Sequence, residues 1–129
     1  MAEFDRIVVL GSSLTALALV RAAKALRIAS VLVDTRRGIA FDSRHTIPIY
    51  CPGANDEFLL QQLEGVASKE STALIADSDG WLRFIVRCRP ALESMFASVL
   101  HPGPRAIELC LDKSLFLDWC MDNGFAAPR

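Results

Sequence analysis

The first 34 residues alternate between a pattern typical of buried strands and a pattern typical of a helix. Arg6 to Leu10 is a β-branched run that ends at Gly11. Leu14 to Leu26 has apolar residues at helical spacing, and Ala29 to Asp34 returns to strand character. These segments predict a βαβ unit, in which the crossover is right-handed and the strands are parallel.

The same alternation continues beyond a polar loop at residues 35–46. Ile47 to Tyr50 predicts a third strand, and Asp56 to Val66 carries the apolar stripe of a second helix. Ala73 to Ala76 predicts a fourth strand, bounded by polar residues.

A third helix is predicted from Trp81, and we expect Pro90 to interrupt or restart it, because proline removes a helical hydrogen bond. A fifth short strand follows near Val99. The predicted fold is α/β, a Rossmann-like three-layer α/β/α domain with a small parallel sheet in the order 3-2-1-4 and the optional fifth strand.

The last stretch predicts two short helices, Arg105 to Cys110 and Asp112 to Met121. Asp112 is placed to cap the second helix, and Gly124 followed by Pro128 is placed to end it.

Composition narrows the class of protein. The chain has 129 residues, enough for one domain with a buried core, and 52% of them are hydrophobic. Its net charge of −1 gives no overall field that would attract nucleic acid or an anionic membrane. Without a signal sequence or an apolar run of bilayer length, we expect a cytoplasmic protein with no nucleic-acid or membrane partner.

The four cysteines form no C-x-x-C pair and have no histidine at metal-ligand spacing, so no metal site is predicted. Cys110 and Cys120 fall on apolar helical faces, where a thiol packs as a small hydrophobe.

The first candidate site is the turn Gly11-Ser12-Ser13 between the first strand and helix. Amides at a helix N-terminus can hold a phosphate or carboxylate. The fingerprint of dinucleotide-binding sites has a glycine at the position of Ser13. Asp34, however, is at a position from which an acidic residue can bind the ribose of a dinucleotide. Three interpretations of this turn stay open: a dinucleotide site, a plain turn with a serine cap, and a site for another small anion.

The second candidate is Asp77-Ser78-Asp79, directly after the fourth strand, where open α/β sheets place ligands. Two carboxylates there can bind an amine or orient a substrate. Alternatively, Asp77 or Ser78 caps the next helix through its side chain.

Two basic residues are weaker candidates. Arg44, in the segment Ser43-Arg44-His45, can clamp a carboxylate or brace its loop. Lys113 opposes the favoured dipole sign at a helix start, so either an anion lies nearby or the lysine is simply solvated.

Together these segments resemble the N-terminal, pre-ATP-grasp part of ATP-grasp carboxylate–amine ligases. The resemblance lies in the order of the Gly11-Ser12-Ser13 turn, the Ser43-Arg44-His45 segment, the Asp77-Ser78-Asp79-Gly80-Trp81 segment and the stretch from Leu111 to Pro128. It implies a pre-ATP-grasp domain at residues 1–110 and a helical lead into an ATP-grasp domain at residues 111–129.

The resemblance also implies a reaction and its ligands. ATP and magnesium activate a carboxylate as an acyl phosphate, and an amine attacks it, releasing ADP and phosphate. Lys113 matches the lysine that reaches the nucleotide phosphates. Substrate contacts are implied at Gly11, Ser12, Ser13, Arg44, Asp77 and Asp79, and no catalytic residue or metal ligand is implied here.

The phosphate-covering loop and the acidic metal ligands of this family are not found in the 129 residues, so we expect the chain alone to be inactive and to hold no tightly bound cofactor. The expected partners are small carboxylate and amine substrates, C-terminal ATP-grasp domains and, as an option, a second copy in a homodimer. Alternatives are a stand-alone nucleotide- or small-anion-binding module, an NAD(P)-dependent oxidoreductase domain and a structural subunit.

Overall fold

The computed structural model describes residues 3–127 and contains one five-stranded, fully parallel sheet. The strands are β1 (Arg6–Leu10), β2 (Ala29–Asp34), β3 (Ile47–Tyr50), β4 (Thr72–Ala76) and β5 (Ser98–Val99). Their order is β3-β2-β1-β4-β5, and every neighbouring pair is parallel. The predicted order is confirmed, and the fifth short strand is present.

Five α-helices connect and flank the strands. They are α1 (Leu14–Ala25), α2 (Asp56–Glu64), α3 (Asp79–Met95), α4 (Pro104–Leu111) and α5 (Lys113–Asp122). The polar loop after β2 contains a short 3-10 turn, Ile39–Asp42, whose Ala40 and Phe41 are buried. Among residues 3–127, no helix has the length and apolar content needed to cross a bilayer.

The sheet separates two hydrophobic clusters, because successive strand residues face opposite sides. In β1, Val8 and Leu10 belong to the cluster that packs against α2 and α3, whereas Val9 belongs to the cluster that packs against α1. All three side chains are fully buried. The chain therefore has the three-layer α/β/α architecture that the sequence predicts.

The expectation that Pro90 would interrupt the third helix is wrong. Helix α3 runs without a break through Pro90 for 17 residues. Proline costs the helix a hydrogen bond and crowds the preceding turn. The fully buried residues Ile85 and Leu92, on either side of Pro90, anchor both halves of the helix in the core. Burial of this apolar face outweighs the local cost of the proline.

Helix α5 begins where the sequence indicates. The Asp112 carboxylate accepts hydrogen bonds from the amides of Ser114 and Leu115, at 2.9 and 3.1 Å. Asp112 also separates α4 from α5, and α4 packs on α3. The division of the chain after residue 110 stays a prediction.

The end of α5 follows the Schellman pattern. Gly124 has a φ of +73° and donates to the Met121 carbonyl, while Phe125 donates to the Cys120 carbonyl. These bonds satisfy carbonyl groups at the end of the helix, and glycine tolerates the positive φ. The predicted role of Pro128 lies outside the described residues.

The four thiols are free. Cys120 is buried on α5 as expected, but Cys110 is exposed, so the packing predicted for Cys110 is wrong. The turn of α4 that carries Cys110 faces solvent, and only Ile107 of that helix is buried.

Candidate functional site

A cleft of about 700 Å³ lies at the carboxyl ends of the parallel strands. It is lined by three segments, residues 12–13 after β1, residues 34–38 after β2 and residues 77–81 after β4. Because β1 lies between β2 and β4, the second and third segments form opposite sides of the cleft. Ligands of open α/β sheets bind at this edge.

Gly11 makes the turn after β1 possible. Its φ is +123°, and a Cβ built on it would lie against the carboxyl group of Asp77. That carboxylate accepts a hydrogen bond from the Ser13 amide at 3.0 Å. The chain thus already places a carboxylate of its own at the N-terminus of α1.

Ser13 also caps α1, since its hydroxyl accepts from the Ala16 amide at 3.4 Å. The serine cap considered for this turn is therefore present. The cap uses the side chain of Ser13, and the bond to Asp77 uses its backbone.

Ser12 and Asp34 form a buried polar pair beneath the cleft. The Ser12 hydroxyl donates to Asp34 Oδ2 at 2.6 Å and accepts from the Gly38 amide at 2.8 Å. Asp34 Oδ1 accepts from the amides of Thr35 and Arg36. Oδ1 therefore holds the loop after β2 directly, and Oδ2 holds it through Ser12, which gives Asp34 a structural role at the position where a dinucleotide ribose would bind.

Asp77 and Asp79 lie together on the β4 side of the cleft. Asp77 follows the last residue of β4, and Asp79 is the first residue of α3 and is exposed. The alternative in which Ser78 or Asp77 caps α3 through its side chain is wrong. Ser78 makes no side-chain cap bond, and Asp77 bonds to Ser13.

The structure does not bring Arg44 or Lys113 into this cleft. Arg44 is exposed in the loop before β3, beside His45, and Lys113 is the exposed first residue of α5. His45 Nε2 lies 2.9 Å from Lys24 Nζ. Desolvation and the cations Lys24, Arg44 and Arg21 lower the pKa of His45.

His101, a loop residue that no motif in the sequence singles out, supports the cleft. Its Nε2 accepts the Ala76 amide at 2.8 Å, one residue before Asp77. Strand β5 pairs only with Ala73 and Leu74, so the end of β4 needs another acceptor. The shortness of the predicted fifth strand is the one sequence signal that could have found this contact.

The contact of His101 requires a neutral ring, because a protonated imidazole has no acceptor. Burial, followed by the charge of Arg89, lowers the pKa of His101 below the usual 6.5. The guanidinium of Arg89 also donates to the carbonyls of His101 and Pro102, at 3.2 and 2.9 Å. The end of β4 is thus held by the neutral form of His101, which is the form that burial favours.

We expect the free energy of unfolding to fall as the pH drops below about 6.5. The unfolded state takes up the proton first, because the pKa of His101 is lower in the folded state, so stability is complete above the unfolded pKa and declines below it. His101→Gln keeps an acceptor without the titration. Urea unfolding at pH 7.5 and 5.5 should show a smaller pH dependence for His101→Gln than for the wild type.

The control for this measurement is His45→Gln, since His45 is exposed and also has a lowered pKa. We expect it to change the pH dependence less than His101→Gln does. An unchanged pH dependence in His101→Gln would show that the bond to Ala76 does not contribute to stability.

Comparison with known proteins identifies the fold. No protein-family model matches the sequence, and no curated protein sequence matches it. The solved structures of N5-carboxyaminoimidazole ribonucleotide synthetase from Thermotoga maritima and from Thermus thermophilus both match with a TM-score of 0.69 and 17% identity. The matches include 98% and 95% of the residues of this chain, but only 32% and 31% of the residues of the two synthetases.

A third similar structure is the biotin carboxylase domain dimer of the Hydrogenobacter thermophilus 2-oxoglutarate carboxylase, in complex with MgADP and bicarbonate. It has a TM-score of 0.67 and 20% identity, and the match covers 96% of this chain and 28% of that one. The chain therefore spans about a third of the length of the structures that it resembles. Its fold is that of the N-terminal part of ATP-grasp carboxylate–amine ligases.

Proposed function

We propose that this chain is the substrate-side N-terminal domain of an ATP-dependent carboxylate–amine ligase. In the proposed reaction, ATP converts a carboxylate to an acyl phosphate, and an amine displaces the phosphate to form the new C–N bond. The shared fold supports this assignment, as does the cleft at the edge of the sheet where ligands bind. Because the chain spans a third of its structural neighbours, we expect it to be inactive alone.

The observation that carries the proposal is the pair of carboxylates on one side of the cleft, Asp77 and Asp79. Carboxylate oxygens accept hydrogen bonds from the N–H groups of an amine and favour its approach by charge. One oxygen of Asp77 accepts a hydrogen bond from the Ser13 amide, which fixes the orientation of the carboxylate. The remaining lone pairs of that carboxylate can accept from a ligand. Ser12, Ser13 and Gly11 complete the proposed substrate contacts around it.

Residues 3–127 contain no group of three or more His, Cys, Asp or Glu side chains that could hold a metal ion. From the resemblance to ATP-grasp ligases, we assign ATP and magnesium to the ATP-grasp domains of the proposed enzyme. Lys113 is proposed to contact the nucleotide phosphates there, and Arg44 would contact only a substrate that extends beyond the cleft.

A stand-alone small-anion-binding module is the second candidate function. The observation in its favour is that Arg36 and Arg37 line the side of the cleft that faces Asp77 and Asp79. This candidate predicts binding of an anion without any contribution from the two carboxylates. The dinucleotide alternative is less well supported, since both oxygens of Asp34 already accept hydrogen bonds.

The proposed amine site predicts a specific loss of binding in Asp79→Asn. Titration of the ¹⁵N-labelled chain with ethanolamine should shift the amides of Ser13 and Gly80, which line the cleft. We expect Asp79→Asn to weaken binding about tenfold, because the charge of one hydrogen-bond acceptor is lost. Asp118→Asn, an exposed aspartate on α5, is the matched control. Equal affinities for the wild type and Asp79→Asn would contradict the amine site.

A further inference from the structure

The loop after β2 is fixed in place by two buried residues beneath it. The Arg36 amide donates to Asp34 Oδ1 at 3.2 Å, and the Gly38 amide donates to the Ser12 hydroxyl at 2.8 Å. The Ala40 amide donates to the Ser12 carbonyl at 3.0 Å. A Cβ on Gly38 would collide with the Ser12 backbone, so the loop approaches the turn as closely as glycine permits. The backbone on both sides of Arg37 is thus held by hydrogen bonds.

The guanidinium of Arg37 is also positioned by an aromatic ring. Its central carbon lies 5.9 Å from the centroid of the Tyr50 ring, within the range of a cation–π interaction. Tyr50 in turn packs edge-on against Phe41, at a centroid distance of 6.2 Å. A cation–π contact of this kind does not use the N–H groups of the guanidinium as hydrogen-bond donors, so they are free to bind an oxyanion.

Arg37 has no carboxylate partner within the part of the chain that the structure describes. The ion pairs found there are Arg87 with Asp56 and Arg89 with Glu93. Arg37 therefore lines the cleft as an exposed cation that is oriented but not neutralised. A planar guanidinium in this setting suits a carboxylate or a phosphate, which it can bind through two hydrogen bonds.

We propose that Arg37 binds an acidic group, carboxylate or phosphate, of the small molecule whose amine lies at Asp77 and Asp79. This inference rests on the proposed function. The cleft has a basic side after β2 and an acidic side after β4, with β1 between them. A ligand with an amine and an acidic group matches both sides, and one without an acidic group leaves Arg37 unpaired. The cleft would therefore select amine substrates that carry an oxyanion.

The test compares four probes by titration of the ¹⁵N-labelled chain: O-phosphoethanolamine, β-alanine, ethanolamine and inorganic phosphate. We expect at least one of the two amines that carry an acidic group to bind about tenfold more tightly than ethanolamine, the effect of one charge-assisted hydrogen bond. Comparison of O-phosphoethanolamine with β-alanine then distinguishes a phosphate from a carboxylate.

Arg37→Gln should reduce the affinity for the preferred probe to that for ethanolamine. Arg37→Lys should retain part of the preference, because it keeps the charge but loses the planar group. The control is Arg83→Gln, since Arg83 is an exposed arginine on α3 outside the cleft, and it should bind as the wild type does. Equal affinities for all the amines, or an unchanged preference in Arg37→Gln, would overturn the proposal.

The titrations distinguish failure of the amine site from failure of the Arg37 site. Binding of inorganic phosphate that depends on Arg37, with no binding of ethanolamine, would support the Arg37 site and contradict the amine site. Binding of ethanolamine that depends on Asp79, with no preference for an acidic group, would support the amine site and overturn the role of Arg37.

Discussion

Gly11→Ala is expected to lower the free energy of unfolding by about 2–6 kcal/mol, the largest effect of the substitutions considered for the cleft. A φ of +123° is strained for alanine and costs about 1–3 kcal/mol. The new Cβ would also displace the Asp77 carboxyl group, which would lose its hydrogen bond to the Ser13 amide. Loss of such a bond costs about 1–3 kcal/mol more. Urea unfolding measures the combined change.

The matched control is Gly80→Ala, at the start of α3 on the same cleft. Gly80 has an ordinary φ, and a Cβ built on it contacts nothing within 4 Å. Alanine loses less backbone entropy than glycine in a helix, so this variant should be as stable as the wild type or more stable by about 0.5 kcal/mol. A loss below about 1 kcal/mol in Gly11→Ala would mean that the turn adapts to a side chain.

Asp34→Ala has the second largest expected effect, a loss of about 2–3 kcal/mol in the free energy of unfolding. Asp34 is 8% exposed and accepts from the Ser12 hydroxyl and from two loop amides. Removal of the carboxylate leaves the buried Ser12 hydroxyl with a weaker acceptor, the Arg36 carbonyl at 3.2 Å. The loop that carries Arg37 should loosen as a result. Urea unfolding and the amide shifts of residues 35–40 report both changes.

Two further variants serve as controls for Asp34→Ala. Asp34→Asn keeps a carbonyl oxygen for the loop amides and should lose only about 1 kcal/mol. Asp42→Ala removes an exposed aspartate from the same loop and should change the stability by no more than about 0.5 kcal/mol. If Asp34→Ala and Asp42→Ala destabilise equally, the buried network around Ser12 does not hold the loop.

The strands and their order could be predicted because hydrophobic runs, turns and the right-handed crossover rule are local signals. Arg6 to Leu10 and Ile47 to Tyr50 are strands with the predicted bounds. Pro90 shows the limit of such reasoning, since its local cost is visible in the sequence while the burial of Ile85 and Leu92 depends on the tertiary fold. The exposure of Cys110 is likewise decided by which side of α4 packs on α3.

The candidate site was only partly predictable. The sequence places Ser12, Ser13, Asp77 and Asp79 at the carboxyl ends of strands, and the structure brings them to one cleft. The contact of Asp77 with Ser13 joins residues 64 positions apart, and the contact of His101 with Ala76 joins residues 25 apart. No spacing pattern indicates such pairs, because they depend on the three-dimensional arrangement of β1, β4 and β5.

The proposed role of this chain is to supply the substrate cleft of an ATP-dependent carboxylate–amine ligase. The most direct measurement is ADP formation from MgATP by the native gene product, isolated with an antibody against this domain and supplied with panels of carboxylates and amines. We expect ADP formation that needs both a carboxylate and an amine, and a raised KM for the amine in Asp79→Asn with little change in the KM for ATP. A gene product that binds no ATP, or that hydrolyses it regardless of carboxylate and amine, would contradict the claim.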